Sequence, residues 1–343
     1  MSIQAALARV VDGHDLSQPE AYEAMLSIMS GRCTDAQIGA FITALRMKGE
    51  SIAEIAGAAQ AMREMAHKVK ASGAVVDTCG TGGDALGTFN ISTTVAFVVA
   101  ACGVTVAKHG NRSITSKSGS ADVLKALGVN IEADTAVVET CLQRCGMGFL
   151  FAVKHHGAMK HAIGPRKELA IRTIFNLLGP LTNPASAPYQ LIGVFDGRWT
   201  EPMAQVLGRL GSSRAMVVHG NDGLDEITIT TTTQVSELKS DGQVTNYTLD
   251  PQDFGLPLAN ISELKGGEAS ENAAITRAIL SGTEQGAKRH VVVLNAAAAL
   301  YISGMAQSMT TGKEMAEQAL DSGRALKRLQ MLVETSNVIP EPT

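Results

Sequence analysis

Three glycines in four positions, Gly80, Gly82 and Gly83, stand between two apolar runs, and no other stretch restricts the fold as strongly. Residues 75–120 read VVDTCGTGGDALGTFNISTTVAFVVAACGVTVAKHGNRSITSKSGS. Val75 and Val76 predict a strand entering a loop, residues 77–84, that has no large side chains. Backbone N–H groups of such a loop can converge on an anion. Asn90 and Ser92 precede the apolar run Val95 to Ala101, which is an N-cap signal, and a helix N-terminus there adds its positive dipole end and free donors. Gly103 closes that helix, Val104 to Ala107 predicts a second strand, and Lys108-His109-Gly110-Asn111-Arg112 is a basic loop. The order strand, glycine loop, helix, strand, basic loop makes one βαβ unit with phosphate-binding devices at its strand ends.

Three readings of the loop compete. A tight turn would account for a glycine pair. A dinucleotide fingerprint fits loosely through Gly80, Gly82 and Ala85, but its second strand should end near an acidic residue for the ribose hydroxyls, and here it ends at Lys108. A P-loop needs Gly-Lys-Ser/Thr, and Gly87 is followed by Thr88. A phosphate cradle remains, with Thr88, Asn90, Ser92, Thr93, Lys108, Ser116 and Ser120 as further donors, more than a turn requires.

Composition narrows the partners. The chain has 343 residues, 45% of them hydrophobic, enough for a large core in two domains or one large one. Its formal charge is −4, from 29 basic and 33 acidic residues, so a general polyanion binder is disfavoured and phosphate recognition must be local. Aromatic content of 4% also weakens a base-stacking platform for nucleic acid. Cys33, Cys79, Cys102, Cys141 and Cys145 are odd in number and include no C-x-x-C, which argues against a disulfide framework or zinc site. With no signal segment and no apolar run of membrane-spanning length, a reducing cytoplasm is expected.

Residues 1–71 predict a small helical domain. Ile38, Phe41, Ile42 and Leu45 share a helix face, Ser51 and Glu54 make a capping box, and Gly31 and Gly49 break the helices. Its faces either pair with a second subunit or cover this chain's own core. Residues 72–343 predict a large α/β domain with a mostly parallel sheet. In it we expect helices at 121–127, 134–145, 201–210, 272–280 and 314–333. Strands are expected at 129–131, 147–151, 191–195, 215–219, 227–233 and 290–294, the last leading into an alanine helix at 296–300. Residues 234–270 read as polar and turn-rich.

Two further stretches carry chemistry. His155, His156 and His161 invite a metal reading, but no H-E-x-x-H and no carboxylate set accompanies them. Pro165 and Arg166 open a helix expected to run toward Leu178 and to end at Gly179 and Pro180. A cation in a first turn opposes the helix dipole, so Arg166 is either a solvated surface residue or a fork for a carboxylate. Asp225 and Glu226 lie in a glycine-rich turn after a strand. Alone they would be an acidic turn; beside a phosphate cradle they suit magnesium, which prefers oxygen ligands.

The segments GTGGD (80–84), NIST (90–93) and KHGNR (108–112), with Arg166 and the Asp225–Glu226 pair, resemble anthranilate phosphoribosyltransferase along essentially the whole chain. That enzyme moves a phosphoribosyl group from phosphoribosyl pyrophosphate to anthranilate in tryptophan biosynthesis. The resemblance implies the nucleoside phosphorylase/phosphoribosyltransferase type of fold, in which helices near 166–185 pack with the small domain, and a homodimer formed through that domain. It also implies Mg2+ held by Ser92, Asp225 and Glu226. For phosphoribosyl pyrophosphate it implies Gly80, Gly82, Gly83, Asp84, Thr88, Asn90, Ile91, Ser92, Thr93, Lys108, Gly110, Asn111, Arg112, Ser116 and Ser120. For anthranilate it implies Gly80, Asn111, His156 and Arg166. Val153 and Gly157 stand where many relatives carry Pro. Three rivals remain: a pyrimidine nucleoside phosphorylase, a non-catalytic nucleic-acid-binding relative, and a nicotinamide dehydrogenase.

Overall fold

The computed structural model describes residues 1–113 and 117–338. Four helices come first: α1 Ile3–Val11, α2 Gln18–Met29, α3 Asp35–Lys48 and α4 Ile52–Met65. Capping boxes start three of them, Ser17 with Glu20, Thr34 with Gln37 and Ser51 with Glu54, each satisfying backbone donors a helix start leaves open. The α/β part follows as β1 Val75–Gly80, α5 Ile91–Ala101, β2 Thr105–Gly110, α6 Ser120–Ala126, α7 Thr135–Cys145 and β3 Met147–Phe151. Next come α8 Ala152–His155, α9 Lys160–Leu169, α10 Phe175–Leu181, β4 Tyr189–Gly193, α11 Thr200–Arg209 and β5 Arg214–Gly220. The chain continues through β6 Thr233–Leu238, β7 Val244–Leu249, α12 Ala269–Leu280, α13 Ala287–Ile302, α14 Met309–Asp321 and α15 Arg324–Ser336.

The sheet order is β3-β2-β1-β4-β5-β6-β7. Strands β3 through β5 in that order run parallel, and β6 and β7 return antiparallel. From β1 the chain winds one way to β2 and β3, then crosses to β4 on the other side. Such a reversal leaves a crevice at the carboxyl ends of the two adjacent strands, where open α/β sheets bind ligands. Here Gly80 and Gly193 lie opposite each other at that end.

Neighbouring strand residues face opposite cores, as the period of two requires. Leu191 and Met216 join a cluster with α5 and α12–α15, whereas Ile192 and Val217 join one with α1–α4 and α9–α11. The second cluster runs without interruption from Ile28, Phe41 and Ile55 through Leu177 and Leu181 to Val194. The N-terminal helices therefore have no private core; they complete one face of the sheet. Arg63 fixes this seam from α4 by donating to Leu181 O at 2.6 Å and Leu210 O at 3.1 Å, the carbonyl ends of α10 and α11.

Several expected elements differ. Residues 129–131 are irregular and lead into a turn rather than forming a strand. Residues 227–232 are irregular because Thr228 and Thr230 turn their hydroxyls onto the Asp222 carboxylate, and the strand starts only at Thr233. The β-branched run 291–293 lies inside α13, a helix buried all round, where packing outweighs a weak strand preference. The expected tail helix is two, broken at Gly323 with φ +72°. Pro165 sits inside α9 instead of opening it, the chain breaks at 170–174, and α10 carries Pro180 and ends at Leu181.

Candidate active site

The crevice is built by β1, whose final residues become the glycine loop. Gly82 and Gly83 adopt φ of +66° and +82°, which side chains resist. Gly80 serves close approach instead, since a Cβ there would lie 2.6 Å from Asp225 Oδ2. Its partner Gly193 is tighter still: a methyl would fall on the Asp225 carbonyl group. The two glycines let the acidic turn fold down onto the loop.

That turn already engages the donors assigned to phosphate. Gly82 N donates to Asp225 Oδ2 at 2.8 Å, and Ser92 N, in the first turn of α5, donates to Glu226 Oε1 at 3.1 Å. Asp84 is hydrogen-bonded to Asp225, and its Oδ1 accepts from Leu86 N at 3.1 Å. Burial and the neighbouring Asp84 and Glu226 charges push the Asp225 carboxyl far above its usual range. Burial raises Asp84, and it raises Glu226 to about 7, against the pull of Lys108. Lys108 lies beneath, 1% exposed, donating to Thr78 O and, at 3.3 Å, to Ser92 Oγ. Burial lowers its pKa, opposed by Asp77. The expected basic loop thus begins with a buried ammonium that continues β2.

The other expected ligands divide. Asn90 occupies the N-cap position of α5 without capping it: its amide donates to Ser118 O at 3.2 Å, and its Oδ1 accepts from Asn272 at 2.9 Å. Ile91 is buried and its N–H is taken by Phe89 O at 2.8 Å. Among the described residues Thr93 Oγ1 is buried without a partner. Thr88 bridges to Lys265. Gly110 leaves room for Ser120, whose hydroxyl donates to Asn111 O at 3.3 Å. Asn111 Oδ1 accepts from Arg112 N at 2.8 Å. Arg112 is exposed and turns to Glu132 at 3.5 Å and Asp122 at 3.9 Å. Ser116 lies outside the described residues.

His156 is buried beside His109, with ring centroids 5.1 Å apart. Burial pushes His156 down to about 4 and His109 well below its usual value, so both rings are neutral. Each is hydrogen-bonded to backbone, at Thr182 and Gly179 respectively, and among the described residues the Nε2 of each is buried without a partner. Arg166 occupies the last turn of α9, so the dipole argument drawn from a first-turn cation fails; a cation is favourable there. Its guanidinium stacks 5.1 Å over Phe175, and burial lowers its pKa.

Sequence reasoning passed over His109, although it sits inside KHGNR, and Asp77, whose carboxylate accepts from His109 N at 3.1 Å and from Asn183 at 2.7 Å. It also passed over Asn272 and Gly193. Nothing local marks Gly193, whose reason is a turn 32 residues further on in the chain, at Asp225.

Both parts of the chain match models of one class. Residues 4–66 match the helical bundle domain of the glycosyl transferase family, and residues 72–326 its a/b domain. The chain is a two-part member of the glycosyl transferase family. The chain is 55% identical over 336 residues to the anthranilate phosphoribosyltransferase of Acetivibrio thermocellus, covering 98% of this chain and 97% of that one. It is 56% identical over 332 residues to that of Moorella thermoacetica, covering 96% and 97%. The crystal structure of the Thermus thermophilus enzyme of that name superposes with a TM-score of 0.93 at 42% identity, covering 97% of this chain and 99% of that one. The Saccharomyces cerevisiae enzyme in complex with PRPP and Mg gives 0.89 at 27% identity over 98% of each chain. The chain belongs to the anthranilate phosphoribosyltransferase family.

Proposed function

We propose that this chain transfers the phosphoribosyl group of 5-phosphoribosyl 1-pyrophosphate to anthranilate, releasing pyrophosphate, in tryptophan biosynthesis. One observation carries the reading: the glycine loop, the start of α5 and the acidic turn meet at the sheet's switch point, where loop amides are held by carboxylates that an anionic substrate with its cation would replace.

Mg2+ fits the donor set. Asp84, Asp225 and Glu226 are crowded oxygens whose raised carboxyls mark a cluster short of positive charge. Mg2+ keeps several waters and takes substrate oxygens, so it needs no closed protein cage. Asp225, Glu226 and Ser92 would hold it. The bound cation would neutralise charge developing on the leaving pyrophosphate.

The chain's own groups do the rest. Loop amides, Lys108 and the first turn of α5 hold phosphates; Asn111 and Arg166 orient anthranilate. The buried Nε2 atoms of His109 and His156 offer acceptors for the attacking amine, which is already unprotonated near neutral pH. No Ser-His-Asp arrangement is needed, because positioning and charge stabilisation suffice. Homodimer formation through the N-terminal helices and a cytoplasmic location belong to the same reading. Sedimentation velocity tests the first, and among the described residues no helix is long and apolar enough to cross a membrane.

The test is direct. Protein, phosphoribosyl pyrophosphate, anthranilate and Mg2+ are mixed and loss of anthranilate fluorescence is followed. Turnover that disappears with chelator and in the double variant Asp225→Asn, Glu226→Gln supports the reading. Absence of turnover in the wild-type chain overturns it.

A further inference from the structure

We infer that Arg172 is a positioning residue that latches the glycine loop to the segment carrying Arg166; the inference rests on the function proposed above. Arg172 lies in the connection between α9 and α10. Its Nη2 donates to Gly83 O, and its guanidinium carbon lies 4.2 Å over the Phe195 ring, just past β4. Phe195 N donates in turn to Thr81 Oγ1 at 3.0 Å, so β4's exit and the loop are tied twice. Gly83 suits the latch in two ways. It takes φ +82°, and a Cβ on it would sit 3.2 Å from Arg172 Nη2.

Among the described residues the Arg172 guanidinium has no carboxylate partner, although the side chain is exposed. An exposed arginine held by an aromatic face and a backbone carbonyl, and not by an acid, is free to act on the loop alone. Leu86 O accepts from Lys265 and Gly87 O from Gly266 N at 3.0 Å, so the far end of the loop is already fastened. Arg172 fastens the near end. The α9 segment is anchored independently by packing on α3 and α2, so the glycine loop is the partner that moves when the latch is cut.

The experiment compares Arg172→Ala, Arg172→Lys and Phe195→Leu with the wild type in two measurements. Steady-state kinetics of Arg172→Ala should show KM for phosphoribosyl pyrophosphate up about 10-fold or more, as expected for losing a charged hydrogen bond and a stack, with KM for anthranilate nearly unchanged. Lysine, which can reach the carbonyl but stacks less well, should recover part of the loss, and Phe195→Leu should shift the same constant by less. Hydrogen exchange of the substrate-free protein should show faster exchange at residues 81–86 in Arg172→Ala, with the β1 amides unchanged. That second measurement needs no turnover, so an inactive wild type would sink the proposed function while leaving the latch on trial. Equal rises in both Michaelis constants, or unchanged exchange at the loop, would overturn the latch.

Discussion

Gly193→Ala should dismantle the acidic turn. The added methyl projects onto the carbonyl group of Asp225, backbone that cannot rotate aside. The turn must withdraw, and three losses follow. Overpacking of this kind costs about 1–3 kcal/mol. The Gly82 N–Asp225 hydrogen bond at 2.8 Å is lost, worth about 1 kcal/mol. Glu226 is drawn from Ser92 N as well. The first two alone sum to about 2–4 kcal/mol of stability. Gly82→Ala makes the control: no atom lies within 4 Å of its added Cβ, and its φ of +66° alone costs about 1 kcal/mol. Urea denaturation of both variants at equal slope gives the two stabilities. Calorimetric Mg2+ titration with phosphoribosyl pyrophosphate present then reads the site. Gly193→Ala should lose at least twice the stability that Gly82→Ala loses, and should bind Mg2+ weakly. A Gly193→Ala protein that is as stable as Gly82→Ala and takes up Mg2+ normally would refute the close approach of the turn.

Three other outcomes are expected. Arg166→Ala should raise KM for anthranilate about 10- to 100-fold, the worth of a bidentate charged hydrogen bond, and leave KM for phosphoribosyl pyrophosphate nearly unmoved; equal changes in both would assign Arg166 to the fold. His156 titrates at about 4 in the folded chain, below the ordinary value of about 6.5 expected when unfolded, so its contribution is complete above pH 6.5 and is lost as pH falls toward 4. That window is worth up to about 3 kcal/mol, and His156→Gln should flatten the acid limb of the stability curve between those pH values; an unchanged limb would show that the ring does not titrate as described. Ala170 ends α9 at φ +50° and ψ 27° on the surface, so Ala170→Gly should stabilise by about 1 kcal/mol in urea denaturation, and a loss of stability would contradict that backbone conformation.

The βαβ unit was legible because its signals are local: apolar runs flank a loop that only glycine can make. The capping box at Ser51 was legible for the same reason. Arg166 was placed on the right helix at the wrong end. Proline is a good helix opener, but the packing of α9 against α2 and α3 carries Pro165 in its interior. The β6–β7 hairpin was missed although Asp241-Gly242, with Gly242 at φ +84°, is a strong hairpin pair; the polarity of its strands hid the alternation. In the site, residue identities were readable but their partners were not. Asn90 reads as a cap until Asn272, 182 positions away, claims its side chain.

The uninterrupted cluster under the sheet gives the chain an unusual kind of divisibility. Cut between Ala71 and Ser72, each piece would carry one half of the same apolar seam, Ile28, Phe41 and Ile55 on one, Leu177, Leu181 and Val194 on the other. Neither half could shield that surface alone, and each presents the complement the other needs. Arg63 would travel with the first piece and its two carbonyl acceptors with the second. The break between the helices and the sheet is therefore not a break in the core.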